Sequence, residues 1–215
     1  MLGDDKYTYP QSGGVLRNLL GIEDAGRLDE AVNDFVTVGW AALAAQAVHA
    51  PSDVFDVDYL RNVHRELFGD LFSWAGRVRD VPVIAAGADL AYCPHPEIEE
   101  RLDCLFAVLA DQNMLTGLDD WGFASAAAAF WSELTYLHPF RDGNTRTQSF
   151  LVSRLAIAAG HPIDWTRINV EHLRDLRIAA VKGFPQNLAD YLFDRLLKPA
   201  GLDDDPPDAL LLGEE

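Results

Sequence analysis

One short segment of the chain holds most of the residue types that could perform catalysis. His138, Asp142, Gly143, Asn144 and Arg146 occur within nine consecutive positions, between two apolar stretches. The histidine could act as a general base, the carboxylate could bind Mg²⁺, and the guanidinium could bind phosphate oxygens in pairs. A Gly-Asn pair at the start of a helix would direct unpaired N–H groups and the positive end of the helix dipole towards an anion. These are the parts of a nucleotide-phosphate site with a proton acceptor beside it.

A purely structural interpretation accounts for the same residue types equally well. His138 would cap the end of one helix, and Asp142 and Gly143 would form a turn. Asn144 would be the N-cap of the next helix, and Arg146 would be a surface charge. Residue types alone therefore do not separate catalysis from capping.

The chain around this segment has a helical pattern. Apolar residues recur at three- and four-residue spacing in six stretches, and Asp56, Pro96 and Gly160 are helix start or stop signals. The predicted helices are Leu28–Ala50, Val57–Phe68, Pro96–Leu109, Trp121–Leu137, Thr147–Ala159 and Val170–Lys182. We predict an all-α helical bundle in which a central helix-loop-helix presents the polar segment.

Residues 77–93 depart from the helical pattern. β-branched Val81, Val83 and Ile84 cluster there, Gly87 lies in a turn signal, and Pro82 would confine the first strand to a sheet edge. This favours a small β-hairpin, but an irregular connecting loop explains the pattern at least as well.

Composition excludes several classes of protein. The 215 residues are 49% hydrophobic and carry a net charge of −17, which repels polyanions, so we expect no direct nucleic-acid binding. Cys93 and Cys104 are too few for a disulfide framework or a four-cysteine zinc site, and we interpret them as reduced thiols of a cytoplasmic protein. The most apolar stretch, Val38–Val48, is shorter than the ~20 residues of a spanning helix, so no membrane insertion is expected.

The remaining aromatic and imidazole side chains receive structural interpretations. The tryptophans at 74, 121, 131 and 165 are expected to be core or helix-packing residues. His64, His95, His161 and His172 share no metal-ligand spacing, and we interpret them as surface or capping residues.

The string HPFRDGNTR at residues 138–146 resembles the motif of the Fic family, HPFx(D/E)GNGR, and its predicted helix-loop-helix setting agrees. Residues 7–32, YTYPQSGGVLRNLLGIEDAGRLDEAV, resemble the start of Fic proteins of the toxin-antitoxin type. Residues 72–83, FSWAGRVRDVPV, resemble the segment that leads into the Fic flap hairpin. The resemblance implies a Fic domain at residues 7–198, between an N-terminal extension at 1–6 and an acidic tail at 199–215.

The resemblance also implies an activity, which is transfer of AMP from ATP to a hydroxyl side chain of a target protein with release of pyrophosphate. It assigns His138 as the general base, Asp142 as the Mg²⁺ ligand and Phe140 as the buried anchor of the loop. The implied nucleotide contacts are Gly143, Asn144, Thr145 and Arg146. The flap that would dock the target by strand addition comprises Val83, Ile84, Ala85, Ala86, Gly87, Leu90 and Tyr92.

Two departures from the family pattern affect these expectations. Thr145 stands where the family commonly has a second glycine, and Ser149 stands where it has a second arginine that grips the terminal phosphate and meets an inhibitory glutamate. The chain also lacks the family's inhibitory Ser/Thr-xxx-Glu-Gly/Asn pattern. The resemblance therefore implies a separate small antitoxin that supplies the glutamate. The chain's similarity to the toxin-type members also implies DNA gyrase and topoisomerase IV as targets. Two alternatives stay open, namely a degenerate module that binds a nucleotide or partner without turnover, and a transferase that uses a different donor.

Overall fold

The structure is a computed structural model that describes residues 6–49, 54–85, 87 and 90–197. The described chain is helical, which confirms the predicted all-α class. The α-helices are α1 (Ala25–His49), α2 (Val57–Phe68), α3 (Ile98–Asp111), α4 (Asp120–Leu137), α5 (Asn144–Ala159), α6 (Val170–Val181) and α7 (Pro185–Phe193). Three short 3-10 helices lie at His95–Glu97, Asn113–Leu115 and Trp165–Arg167.

Two of the three start and stop signals act where the sequence predicts them, whereas Pro96 lies in the 3-10 helix His95–Glu97 and α3 begins at Ile98. The carboxylate of Asp56 accepts a hydrogen bond from the N–H of Tyr59 at 2.7 Å and so caps α2. Gly160 adopts a left-handed backbone at φ 88° and ends α5, since a residue without a Cβ enters that conformation at little cost.

Five of the six predicted helices differ from the observed ones by one to three residues at one or both ends, and one observed helix was not predicted. The helix α5 begins at Asn144 instead of Thr147, because its first turn is polar and gives no apolar periodicity. The helix α7 has no counterpart among the six predicted helices. Pro185 occupies its first turn, and its buried face packs against α4 and α6 through Leu188, Tyr191 and Leu192.

The helix α4 lies at the centre of the bundle. It packs against α3, α5, α6 and α7, and its Trp131 and Ala127 side chains have no exposed surface. Most of the surface of α4 is buried, its exposed stripe is limited to positions such as Ser125, Ala129 and Glu133, and its buried alanines let the neighbouring helices approach closely. The carboxyl end of α4, where the catalytic segment begins, is therefore fixed by the core.

A second hydrophobic cluster joins α1 and α2 to the segment 71–75 and to Phe150 of α5. Trp74 is buried in this cluster, whereas Trp121 packs on Phe193 at the surface and is 39% exposed. None of the helices in the described part of the chain has the length and apolar character that crossing a membrane would require.

The predicted β-hairpin is not confirmed. Ile84 and Ala91 form one antiparallel bridge, and the N–H of Ala85 donates to the carbonyl of Leu90 at 3.1 Å. Gly87 turns the chain at φ 73°, and Ala86 lies outside the described residues. Two short strands without a third are marginally stable, and the described residues supply no further strand to pair with them.

Candidate active site

The polar segment at residues 138–143 is a tight connection between two helices. The helix α4 ends at Leu137, and His138 caps it in the left-handed region at φ 42° and ψ 60°. A residue with a Cβ pays a conformational cost in that region, so the surrounding structure must hold it there. Gly143, also left-handed at φ 79°, precedes the first residue of α5. The loop thus presents the side chain of a C-cap and the N-terminus of the next helix to one region.

Arg79 holds the carbonyl groups on the His138 side of the loop. Its guanidinium is buried, and Nε donates to the carbonyl of His138 at 2.7 Å. The terminal nitrogens donate to the carbonyls of Val81 at 2.8 Å and Cys93 at 2.6 Å. The N–H of Arg79 also donates to the carbonyl of Pro139 at 2.8 Å. One cation therefore ties both ends of the segment 81–93 to the loop that carries the histidine.

Asn144 braces the loop from within. Its Oδ1 accepts from the N–H of Phe140 at 2.9 Å, and its Nδ2 donates to the carbonyl of Phe140 at 2.7 Å. Both side chains are buried. The N-cap position belongs to Gly143, so the capping role considered for Asn144 is wrong. Because the amide side chain is used internally, only the backbone N–H of Asn144 can face an anion at the start of α5.

His64 supports the loop from α2. Its Nδ1 accepts a hydrogen bond from the N–H of Gly76 at 2.9 Å, so Nε2 carries the proton and donates to the carbonyl of Asp142 at 2.9 Å. Burial lowers the pKa of His64 to about 4, and the ring is therefore neutral at pH 7, as this bonding pattern requires. The ring also packs on Phe140, with centroids 3.9 Å apart.

The interpretation of His64 as a surface or capping residue is wrong. The sequence contained a signal, because His64 follows Leu60 at four residues and precedes Leu67 at three, which places it on the buried face of α2. Arg79 gave no comparable signal, since its partners are backbone carbonyls contributed largely by distant segments.

Gly143 is required by the close approach of α2. A Cβ at this position would lie 2.5 Å from Cε2 of Phe68, which is closer than any van der Waals contact. The backbone is also left-handed at this position. The last residue of α2 therefore sets how near the start of α5 can come.

The ring of His138 stacks on Tyr92, with centroids 3.7 Å apart and planes 10° from parallel. Tyr92 therefore lies at the base of the flap, against the imidazole. Nδ1 of His138 is buried and has no hydrogen-bond partner among the described residues. Burial, reinforced by the charges of Arg177 and Arg79, holds the pKa of His138 well below its usual range. The imidazole is therefore neutral at pH 7 and can accept a proton.

A second buried arginine joins the helices that carry the loop. Arg177 of α6 donates to Thr135 Oγ1 of α4 at 3.1 Å and to Gln148 Oε1 of α5, and it lies over the ring of Trp131. Gln148 in turn donates to the carbonyl of Leu134 at 3.0 Å. Burial lowers the pKa of Arg177 to about 10, so it stays charged at pH 7. The network fixes α4 and α5 relative to each other.

The far end of the site opens into a cavity of about 460 Å³. Arg146 lies at its wall and donates to Oδ1 of Asn33 in α1 at 2.7 Å. Ser149 and Thr145 line the same cavity from α5. The other lining residues, mostly apolar, are Val36, Thr37, Trp40, Trp165, Ile168, Val170 and Leu173.

Asp142 fits a Mg²⁺ ion that arrives with a nucleotide. Asp142 is half-buried and lines a smaller cavity of about 200 Å³ together with residues 12–16 and the first turns of α1. Mg²⁺ at phosphates is bound by one or two carboxylates, phosphate oxygens and water, so a single protein carboxylate is sufficient. Among the described residues no group of three His, Cys, Asp or Glu side chains could hold a metal ion.

Known proteins are similar to this chain in sequence and in the arrangement of their helices. The sequence model of the Fic/DOC family matches residues 54–156. The chain is 30% identical over 199 residues to Fic of Escherichia coli K12, named a probable protein adenylyltransferase, and covers 95% of it and 93% of itself. This chain belongs to the Fic family. It is 34% identical over 180 residues to the protein adenylyltransferase VbhT of Bartonella schoenbuchensis, which is 84% of this chain but only 36% of VbhT.

The fold agrees with that of solved Fic proteins. The crystal structure of BepC, a VirB-translocated effector of Bartonella tribocorum with AMPPNP bound, superposes with a TM-score of 0.79 at 29% identity. The match covers 90% of this chain and 97% of the BepC chain. The predicted Fic fold is thereby confirmed.

The contact between Gly143 and Phe68 can be tested by substitution. Gly143→Ala and the control Gly160→Ala both place a Cβ on a left-handed backbone. Only the Cβ at position 143 meets a neighbouring side chain, because a Cβ at position 160 has no other contact within 4 Å. We expect Gly143→Ala to lower the free energy of unfolding by about 1–3 kcal/mol more than the control. Urea unfolding followed by circular dichroism measures both, and equal losses would contradict the predicted clash.

The support that His64 gives to the loop predicts a second effect. His64→Phe keeps a ring against Phe140 but leaves the Asp142 carbonyl and the Gly76 N–H without their partners. We expect a loss of about 1–3 kcal/mol in the free energy of unfolding. The control His172→Phe alters an exposed side chain and should change it by less than about 0.5 kcal/mol. Similar values for the two variants would show that the His64 hydrogen bonds do not stabilise the loop.

Proposed function

We propose that this chain is a protein adenylyltransferase that transfers AMP from ATP to a hydroxyl side chain of a target protein. The observation that carries the proposal is the single loop in which a neutral His138 and the open N-terminus of α5 are held together. Membership of the Fic family supports it, and so do the names of its relatives. The AMPPNP bound to BepC supports a nucleotide as the ligand of this site.

The chemistry assigns a role to each part of the loop. The target hydroxyl attacks the α-phosphorus while His138 accepts its proton, and pyrophosphate leaves with the electron pair of the broken P–O bond. The N–H groups at the start of α5, from Gly143 to Thr145, bind the α-phosphate, and Arg146 binds the departing phosphates. Mg²⁺ held by Asp142 would neutralise charge on the phosphates.

The target segment is proposed to add to the edge of the flap. Ile84 is 54% exposed there, and Tyr92 at the flap base places a docked hydroxyl near His138. We infer a toxin of a toxin–antitoxin pair that acts in the cytoplasm on DNA gyrase or topoisomerase IV. The net charge of −17 favours a protein as the partner over a nucleic acid.

A second candidate function rests on Ser149. An inhibitory glutamate from an antitoxin, and the terminal phosphate of ATP, would both meet a hydroxyl where the family has a guanidinium. A module that binds a nucleotide or a partner without turnover is therefore the alternative to catalysis.

Intact mass spectrometry distinguishes the two functions. The chain and purified subunits of gyrase and topoisomerase IV are incubated with Mg²⁺ and each nucleoside triphosphate in turn. We expect a mass increase of one nucleoside monophosphate that is absent in His138→Ala, because no other group in the loop is placed to accept the hydroxyl proton. Nucleotide binding without any mass increase would support the binding module instead.

Ser149→Arg should raise AMP transfer from ATP by about 10–100-fold, the value of one charge-assisted phosphate contact. The matched control is Ile157→Arg, which adds the same charge to an exposed position two turns further along α5. Initial rates of target labelling with ATP measure the effect. No gain, or an equal gain in the control, would mean that the missing arginine does not limit turnover.

A further inference from the structure

We propose that this site takes a second class of AMP donor in preference to ATP, namely esters of adenosine diphosphate whose β-phosphate carries an uncharged group. The inference rests on the proposed function, since it concerns the donor of the same transfer. It follows from the cavity at the far end of the site, which the phosphates of the proposed reaction would touch only at Arg146 and Ser149 and would leave largely unfilled.

The cavity is continuous with the phosphate site. Thr145, Arg146 and Ser149 lie on the first turns of α5 and also line the cavity. A nucleotide whose α-phosphate rests on the N-terminus of α5, with its β-phosphate at Arg146, therefore directs whatever follows the β-phosphate into this space.

The charges around the cavity disfavour a third phosphate. Arg146 is the one cation among its lining residues, and Asn33 already accepts one of its hydrogen bonds. A terminal phosphate carries about −1.5 to −2 charge at pH 7. Ser149 offers it a neutral, buried hydroxyl, so the charge would lose water without gaining an ionic partner. An ester group on the β-phosphate removes both the third phosphate and the second charge.

The walls of the cavity suit an uncharged ring. Trp40 and Trp165 meet edge to face, with centroids 6.3 Å apart, and Leu173 and Val36 complete an apolar lining. A volume of about 460 Å³ lies in the range of small-molecule sites, which are mostly apolar with a few polar groups. Indole faces pack against the C–H face of a sugar or against a flat aromatic ring.

The transfer balances without a further reactant. The target oxygen forms a bond to the α-phosphorus and His138 takes the hydroxyl proton. The bond from the α-phosphorus to the bridging oxygen breaks, and the electron pair leaves on that oxygen. The products are the AMP-modified protein and the phosphate monoester of the uncharged group, in place of pyrophosphate.

Matched ligand pairs test the proposal on the full-length chain. Isothermal titration calorimetry with Mg²⁺ compares ATP with ADP-glucose and with NADH, whose reduced nicotinamide is uncharged; all three share the adenosine diphosphate and differ only beyond it. We expect at least one ester to bind about tenfold more tightly than ATP. In Ser149→Arg the preference should reverse. Binding of ATP as tight as that of both esters, or no binding of either ester, would overturn the proposal.

A blocking variant locates the binding site. Thr37→Trp places an indole at the cavity wall, whereas Val38→Trp places it on the neighbouring position of α1, which lines a different groove. Thr37→Trp should abolish the advantage of the ester over ADP, and Val38→Trp should retain it. An ester advantage that survives in Thr37→Trp would place the ester elsewhere and leave the cavity to another occupant, such as a partner helix.

Intact mass measurements separate this proposal from the proposed function. Labelling of the target by ATP, with neither ester binding, would overturn the donor proposal and leave the transferase intact. Tight, Thr37-dependent ester binding without labelling from any donor would overturn the transferase and retain the ligand class.

Discussion

The left-handed backbone at His138 is the constraint on which the site depends. An imidazole at the end of a long buried helix would normally continue the helical direction, and here it turns aside at a conformational cost. The turn persists because Arg79, itself buried, binds the carbonyl of His138 and, through its own N–H, that of Pro139. The same guanidinium binds Cys93 at the far arm of the flap. Arg79 thus holds the backbone at His138 and the backbone at Cys93 together.

The opposite side of the loop is held by α2. His64 binds the carbonyl of Asp142, and Phe68 packs so closely on Gly143 that a Cβ there would lie 2.5 Å from its ring. The start of α5 is therefore located by contacts from α2, and its internal geometry by Asn144. Rigid placement of this kind is what phosphoryl and nucleotidyl transfer require, because most of their catalysis is positioning and charge stabilisation.

The sequence predicted those features that depend on neighbouring residues. The helices, the caps at Asp56 and Gly160 and the motif-bearing loop follow from local periodicity and from residue types at fixed spacing. The helix α7 and the supports of the loop did not. Arg79 acts through carbonyl groups up to 59 residues away, and a sequence carries no sign of which carbonyls will be near. The burial of His64 was predictable from the apolar face of α2, whereas its two backbone partners, which lie in other segments, were not. The hairpin is not confirmed, because the described residues of that segment form one bridge and have no third strand beside them.

The two buried arginines also shape the field of the protein. Arg79 binds carbonyl oxygens and Arg177 binds an amide and a hydroxyl oxygen, so no hydrogen bond described for either cation is to a carboxylate. Both lie close enough to His138 to depress its pKa. In a chain of net charge −17, these two cations place positive charge beside His138 while the net charge repels anions at long range. Salt screens interactions across the solvent more than those of buried charges. An anion approaching this chain is therefore expected to be repelled from afar and attracted only near the loop, and added salt should weaken the repulsion first.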